Sequence, residues 1–312
     1  MDRAPQSGTL RFSDCPVCRQ RNIDDFCRAF DRVRNRPHEV FQVKRCRGCG
    51  FGWTSPMPEP GQIASLYPSS YLGNTSKALD EFYSGRLKNS RSWRGEVEKV
   101  RLVERFVPSG NLLDVGCGDG RFLWALDPRR WQRNGADAAA ETLQCVRERM
   151  PELRLVGGDI FSQSLHRDGY DVLTFWHVLE HLPEPRRVLE RARSLLREGG
   201  WLFISLPNLQ SLQARLFRSY WFPFDDVPRH LYHFSGPSLG LLLSQTGFRV
   251  HKRLLFSRYV NFHSLKHSLL HWSQDRCGSR LPYYALKPLL FLFPLLERLT
   301  GSYGILTVIA QK

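Results

Sequence analysis

Four cysteines stand as two CxxC knuckles, Cys15-Pro16-Val17-Cys18 and Cys46-Arg47-Gly48-Cys49, with 27 residues between them. Two knuckles at such spacing can close a tetrahedral site of four thiolates, and Zn2+ is the ion that this donor set predicts. A zinc ion with four thiolates keeps no open position, so the expected role is structural. The alternative for CxxC is redox chemistry, and neither knuckle opens a helix in a strand–helix–strand unit as that would require. Cys27 and His38, between the knuckles, read as bystanders.

A second constellation is Leu112-Leu113-Asp114-Val115-Gly116-Cys117-Gly118-Asp119-Gly120. An apolar run that stops at a glycine-rich turn and opens a helix lets backbone approach a ligand closely. A dinucleotide fingerprint would read GxGxxG with pyrophosphate at the helix start. Here the glycines are 116, 118 and 120, and Arg121 follows. Asp114 and Asp119 would repel a pyrophosphate but suit a cation such as the ammonium end of S-adenosylmethionine. Asp137, 23 residues beyond Asp114, ends the second strand, where a carboxylate can accept both ribose hydroxyls. Asp159 follows the third strand and can accept from an adenine amino group, with Ile160 beside the ring.

LLDVGCGDGRFL, DVLTFWHVLEHLPEP and LREGGWLFISLPN together make residues 97–208 resemble the class I S-adenosylmethionine-dependent methyltransferases, in the branch with an N-terminal CxxC/CxxC zinc-binding domain. The likeness continues more loosely through PRHLYHFSGPSLGLLLSQTGFRV to the last strand. Members of this branch look like modifiers of nucleotide sugars, polysaccharides, lipids and secondary metabolites, and the same core occurs in quinone-biosynthesis methyltransferases. The resemblance implies a cofactor site lined by Asp114, Gly116, Gly118, Gly120, Asp137 and Asp159, with Trp176 and His177 bordering its methionine end.

Methyl transfer to such an acceptor needs alignment, exclusion of water and often a base. His177-Val178-Leu179-Glu180-His181 follows the fourth strand. As a bare pattern it matches the HxxEH of one metallopeptidase class, but a strand tip running into Leu182-Pro183-Glu184-Pro185 is the wrong context. His177 is expected to line the cofactor, and His181 either approaches the substrate or hydrogen-bonds its loop. Pro228-Arg229-His230-Leu231-Tyr232-His233-Phe234 precedes Ser235, an N-cap residue type, and offers His230 or His233 as general base. Related zinc-domain sugar C-methyltransferases carry Glu-His where this chain has Arg229-His230, which argues against carbon methylation and leaves Arg229 to grip a phosphate or carboxylate. Tyr67, Tyr71 and Tyr220-Trp221-Phe222 could form a lid or simply pack under loops.

The elements that must position these groups begin with three segments: a zinc-binding domain at 1–56, a Pro/Gly/Ser/Tyr-rich connector or lid at 57–92, and a methyltransferase domain at 93–312. Val97, Val100, Val103 and Val107 repeat at helical spacing up to Pro108. Strands are expected at 111–115, 131–136, 153–156, 171–176, 201–206, 248–256 and 304–310, with helices at 120–127, 139–150, 184–197 and 236–245. Strand–helix alternation with short connections predicts an α/β fold: a doubly wound, mostly parallel, seven-stranded Rossmann-like sheet behind a small zinc-ribbon-like domain. Residues 257–303, rich in Leu, Phe, Trp and Tyr, read as a helical insertion.

Of 45 basic residues 37 are Arg, and residues 209–303 carry 12 basic against 4 acidic side chains, +8 of the net +15. A basic surface can attract nucleic acid, anionic lipid or phosphorylated substrates, although no compact Lys/Arg run appears. The first dozen residues lack an apolar signal core, and Leu286–Leu296 is too short and too Pro-interrupted to span a bilayer. The expected setting is cytoplasmic, with the insertion either capping the core or touching the inner face of the membrane. Oxygen methylation of a small-molecule, glycan or lipid-linked precursor is the first reading. RNA methylation is the second, disfavoured because the fourth-strand tip reads Phe175-Trp176-His177-Val178 rather than an Asn-Pro-Pro-Tyr type. A catalytically dead scaffold is the third, opposed by the intact loop and its acids.

Overall fold

The computed structural model describes residues 9–67, 76–85, 90–162, 164–254 and 258–312, so Tyr71, the end of the strand expected at 248–256 and residue 257 of the insertion lie outside it. The chain divides into two compact units. One joins residues 1–71, 207–242 and 260–306; the other joins 72–206, 243–259 and 307–312.

The first unit holds β1 (Thr9–Leu10), β2 (Ile23–Asp31), β3 (Arg36–Cys46), β4 (Gly52–Ser55), β5 (Met57–Pro58) and β11 (Tyr232–His233). β1 pairs with β5. The others form an antiparallel sheet in the order β11-β4-β3-β2. The sequence shows little periodicity in residues 1–56, yet the hairpin of β2 and β3 runs nine and eleven residues. A register shift between Asp25 and Cys27 interrupts the alternation of inward side chains and hides the strand from a period-two reading. The four knuckle cysteines and an apolar core coexist here: Phe26, Val43, Trp221 and Leu265 pack in one cluster drawn from three stretches of chain.

The second unit is built on β6 (Gly110–Val115), β7 (Trp131–Asp137), β8 (Arg154–Gly157), β9 (Tyr170–Trp176), β10 (Leu196–Pro207), β12 (Arg249–Leu254) and β13 (Ile305–Gln311). Their order is β12-β13-β10-β9-β6-β7-β8. β8, β7, β6, β9 and β10 run parallel to one another, whereas β12 and β13 pair antiparallel. Seven strands, mostly parallel, match the expected sheet. Leu112, Val172 and Phe203 are fully buried, as a sheet covered on both faces requires. Helix Pro185–Leu195 turns Val188, Leu189, Ala192 and Leu195 inward, and Pro185 opens it.

One boundary differs from the expected one. The sequence predicts this helix to run to 197, before Gly199-Gly200, and a strand to start at Trp201. In the structure the helix stops at Leu195 and β10 begins at Leu196, with a register shift before Trp201. Gly199, at φ +73°, makes that bulge possible.

Candidate functional site: a glycine cradle and a four-cysteine cluster

In the second unit, β6 delivers Asp114 and then ends because Gly116 takes φ +70°, its amide donating to the Ala136 carbonyl at 2.7 Å. Gly118 and Gly120 also sit at positive φ, +49° and +73°. A methyl group added at Gly116 would come within 2.5 Å of the Val178 side chain. At Gly118 it would meet nothing within 4 Å, so this part of the turn faces open space that a ligand can enter. Asp137, at the end of β7, is held by two amides: Gly118 donates to its Oδ2 and Ala139 to its Oδ1, each at 2.8 Å. The carboxylate is therefore fixed beside the open glycine.

Asp159 accepts from the Phe161 amide at 2.9 Å, and Ile160 beside it is buried. Gly157 and Gly158 precede them, again with nothing within 4 Å of an added methyl group. Trp176 ends β9, buried, with its ring edge-on to Phe122 and the Lys99 ammonium 5.6 Å from its centre. His177 follows at φ +59°, an uncommon conformation for a residue with a side chain, and its amide donates to the Ser205 carbonyl at 2.8 Å. His181 donates its amide to the Val178 carbonyl at 2.9 Å within the same loop.

The two flanking acids have different environments. Asp114 is buried, accepts from the Thr174 hydroxyl at 2.6 Å, and burial raises its pKa to about 7. An arriving ammonium would supply the counter-charge that this carboxyl lacks. Asp119 is already paired with Arg121 at 2.9 Å; burial nevertheless pushes it above the ordinary carboxylate value. Tyr83, from helix Ser76–Tyr83, donates its hydroxyl to the Asp119 carbonyl, and Asp80 of the same helix pairs with Arg149 at 2.7 Å. Phe82 is packed edge-on against Tyr83 and Trp93 and tilted against Trp124. The sequence shows these residues only as part of the connector, with no link to the glycine turn; the aromatic spacing of Phe82, Tyr83 and Trp93 is the available signal.

In the first unit, Cys15 and Cys49 bring their sulfurs to 3.6 Å, Cys18 and Cys46 to 3.5 Å, and all four lie within 4.8 Å of one another. Four sulfurs about 2.3 Å from a shared zinc ion would stand roughly 3.8 Å apart, so the cluster fits that ion. Each knuckle closes alike: Arg19 and Gly50 donate to the carbonyls of Cys15 and Cys46 at 2.9 Å, at φ +62° and +75°. Cys27 stands in the core of the unit, its thiol pushed up to about 12 by burial, and His38 is exposed; neither joins the cluster.

The His230 region contributes to this same unit. Ser235 donates its hydroxyl to the Cys49 carbonyl at 2.9 Å and accepts from the Ser238 amide at 3.2 Å, so it caps helix Gly236–Gln245 as well. His230 donates from Nδ1 to the Pro223 carbonyl at 2.7 Å, and its Nε2 lies 3.7 Å from Asp226 Oδ2. His233 is fully enclosed, pushed well below the ordinary histidine value by burial. The Thr54 hydroxyl gives its proton to the His230 carbonyl at 2.7 Å, so His233 Nε2–H is the donor in its 3.1 Å contact with Thr54.

Arg229 is given no substrate phosphate. Its guanidinium is completely buried and bound to Asp31 at 2.8 and 3.0 Å and to Asp226 at 2.7 Å. Of the aromatic lid candidates, Trp221 lies in the core and Phe222 packs on His263 and His267.

A protein-family model described as a methyltransferase domain matches residues 88–253. A ubiquinone biosynthesis O-methyltransferase of Hydrogenovibrio crunogenus is 28% identical over 130 residues, which are 39% of this chain and 51% of that one. The enzyme of the same name from Aeromonas salmonicida is 36% identical over 125 residues, 36% of this chain and 52% of its own length. The chain thus spans about half the length of the curated relatives it matches. Among solved structures, Haemonchus contortus phosphoethanolamine N-methyltransferase 2 in complex with S-adenosyl-L-methionine shares the fold with a TM-score of 0.53 at 14% identity, over 93% of this chain and 68% of that one.

Proposed function

The chain belongs to the methyltransferase-domain family, and on that premise we propose that it moves a methyl group from S-adenosylmethionine to an oxygen of a small-molecule, glycan or lipid-linked precursor. One observation carries this reading: the open space at Gly118 lies beside a carboxylate, Asp137, whose orientation two backbone amides fix. The relatives' printed activity, O-methylation in ubiquinone biosynthesis, supports oxygen as the acceptor atom and a small molecule as its carrier.

S-adenosylmethionine, when bound, supplies a methyl group made electrophilic by its sulfonium charge. Asp114 would ionise opposite the ammonium of the amino-acid moiety, Asp137 would accept from the ribose hydroxyls, and Asp159 from the adenine amino group beside Ile160. Gly116, Gly118 and Gly120 keep the backbone low enough for close approach. Trp176 and His177 would border the methionine end. Among the proposed bases, His230 is the best suited, because the Pro223 carbonyl anchors its Nδ1–H and so fixes the ring. His233 is engaged with Thr54, and His181 remains a candidate for substrate contact. Cys15, Cys18, Cys46 and Cys49 would hold a structural Zn2+ that organises the first unit.

Methyl-labelled S-adenosylmethionine, offered with fractionated cell extract, tests the assignment. Label is expected in an alkali-stable small-molecule or lipid fraction, unaffected by ribonuclease. Label that appears only in RNA would contradict it, as would no transfer to any fraction.

A further inference from the structure

Residues 281–300 fold as three short helical pieces, Leu281–Leu286, Lys287–Phe291 and Phe293–Thr300, each opened by a proline: Pro282, Pro288 and Pro294. The side chains turned inward are Tyr283, Leu290 and Glu297, spaced by seven residues, or about two helical turns. The segment is inverted relative to an ordinary surface helix, whose apolar face is its buried one. Its Glu297 is buried, and all its leucines but Leu290 face out. Nine of the fourteen exposed large apolar side chains among the described residues lie between 281 and 299, with Leu281 at 75% and Phe291 and Leu299 at 74% exposure.

This inversion is fixed by hydrogen bonds. Glu297 accepts from Gln213 at 2.9 Å, from Asn261 at 2.6 Å and from the Gly304 amide at 3.2 Å. Rotating the leucines inward would strand that carboxylate and its three donors. An apolar patch of this extent on a protein surface marks a binding face. The charges around it select the partner: residues 276–304 contain Arg276, Arg280, Lys287 and Arg298, and the one acidic residue, Glu297, is the buried one. The exposed side therefore combines apolar and cationic groups without an accessible carboxylate. Among the described residues no helix is long and apolar enough to cross a membrane, so the fit is to a surface rather than a span.

We propose that the 281–299 face docks on an anionic phospholipid bilayer, its leucines and Phe291 entering the interface while Arg280, Lys287 and Arg298 meet the headgroups. Such docking requires neither methyl donor nor acceptor, so its failure would leave the transferase reading intact.

Sedimentation of the protein with sucrose-loaded vesicles tests this. Binding is expected to be strong on phosphatidylcholine vesicles containing phosphatidylglycerol, and weaker on phosphatidylcholine alone or at high salt. The double variant Leu292→Asp/Leu295→Asp is expected to bind the anionic vesicles at least about tenfold more weakly while keeping the wild-type near-ultraviolet circular dichroism spectrum. Undiminished binding by that variant, or no binding by the wild type, would overturn the proposal. So would a wild-type dimer in light scattering that the variant splits into monomers without any vesicle binding, because the face would then belong to a second copy of this chain.

Discussion

The two units obtain their order in opposite ways. The glycine-cradle unit follows the chain: strand, turn and helix succeed one another from β6 to β10, and each candidate carboxylate stands at or just past a strand end. The cysteine unit gathers three separated stretches, and its anchors cross long sequence distances: Asp31 to Arg229, Cys49 to Ser235, Gln213 to Glu297. Local order should tolerate the loss of one contact. Long-range order through a few buried polar groups should not.

Removing the proposed zinc ion from the four-cysteine cluster is expected to have the largest effect. A structural zinc ion contributes on the order of 10–16 kcal/mol in small domains. Chelation, or Cys46→Ser, is therefore expected to abolish cooperative melting of the first unit in calorimetry while a second transition survives. A single unchanged transition would remove the distinction between the units. Next in size is Asp31→Ala, which leaves Arg229 buried without its bidentate partner and should cost about 3–5 kcal/mol in urea unfolding. Burial by itself would raise the Asp31 pKa, but hydrogen bonds from Arg229 and Arg34 hold it below the ordinary value. The stability it confers is thus present above the unfolded-state carboxylate pKa, about 3.9, and is lost as pH falls below it.

Smaller effects sharpen the contrast. Asp114 has the opposite sign, since burial raises it to about 7 in the folded chain. The stability associated with its protonated form is present below its unfolded-state pKa and lost as pH rises through about 7. A cationic ligand favours the ionised form, so affinity for S-adenosylhomocysteine should climb as pH rises toward about 7. Asp114→Asn should flatten that profile, as calorimetric titration at several pH values would show. Ser235→Ala removes one helix cap and the hydrogen bond to Cys49, an expected loss of about 1 kcal/mol in thermal melting.

The same contrast explains what the sequence reveals. Asp114, Gly116, Gly118, Gly120 and Asp137 are legible because a strand, a tight turn and a strand end are local events with residue-type signatures. The two CxxC knuckles are legible for the same reason. Arg229 is not. Its neighbour His230 suggests catalysis, and nothing near position 229 announces a partner 198 residues earlier. Glu297 is equally opaque: a carboxylate in a leucine-rich helix reads as the exposed point, whereas Gln213, Asn261 and Gly304 make it the buried one.

In the proposed function, the turn after Val115 cups a sulfonium-bearing nucleoside beside the carboxylate of Asp137. Titration of S-adenosylhomocysteine into the wild type and into Asp137→Ala tests it most directly. The expected result is saturable one-to-one binding that the substitution weakens by at least about tenfold, as loss of a charged hydrogen-bond partner to a hydroxyl pair implies. Equal binding by both proteins, or no binding by the wild type, would contradict it.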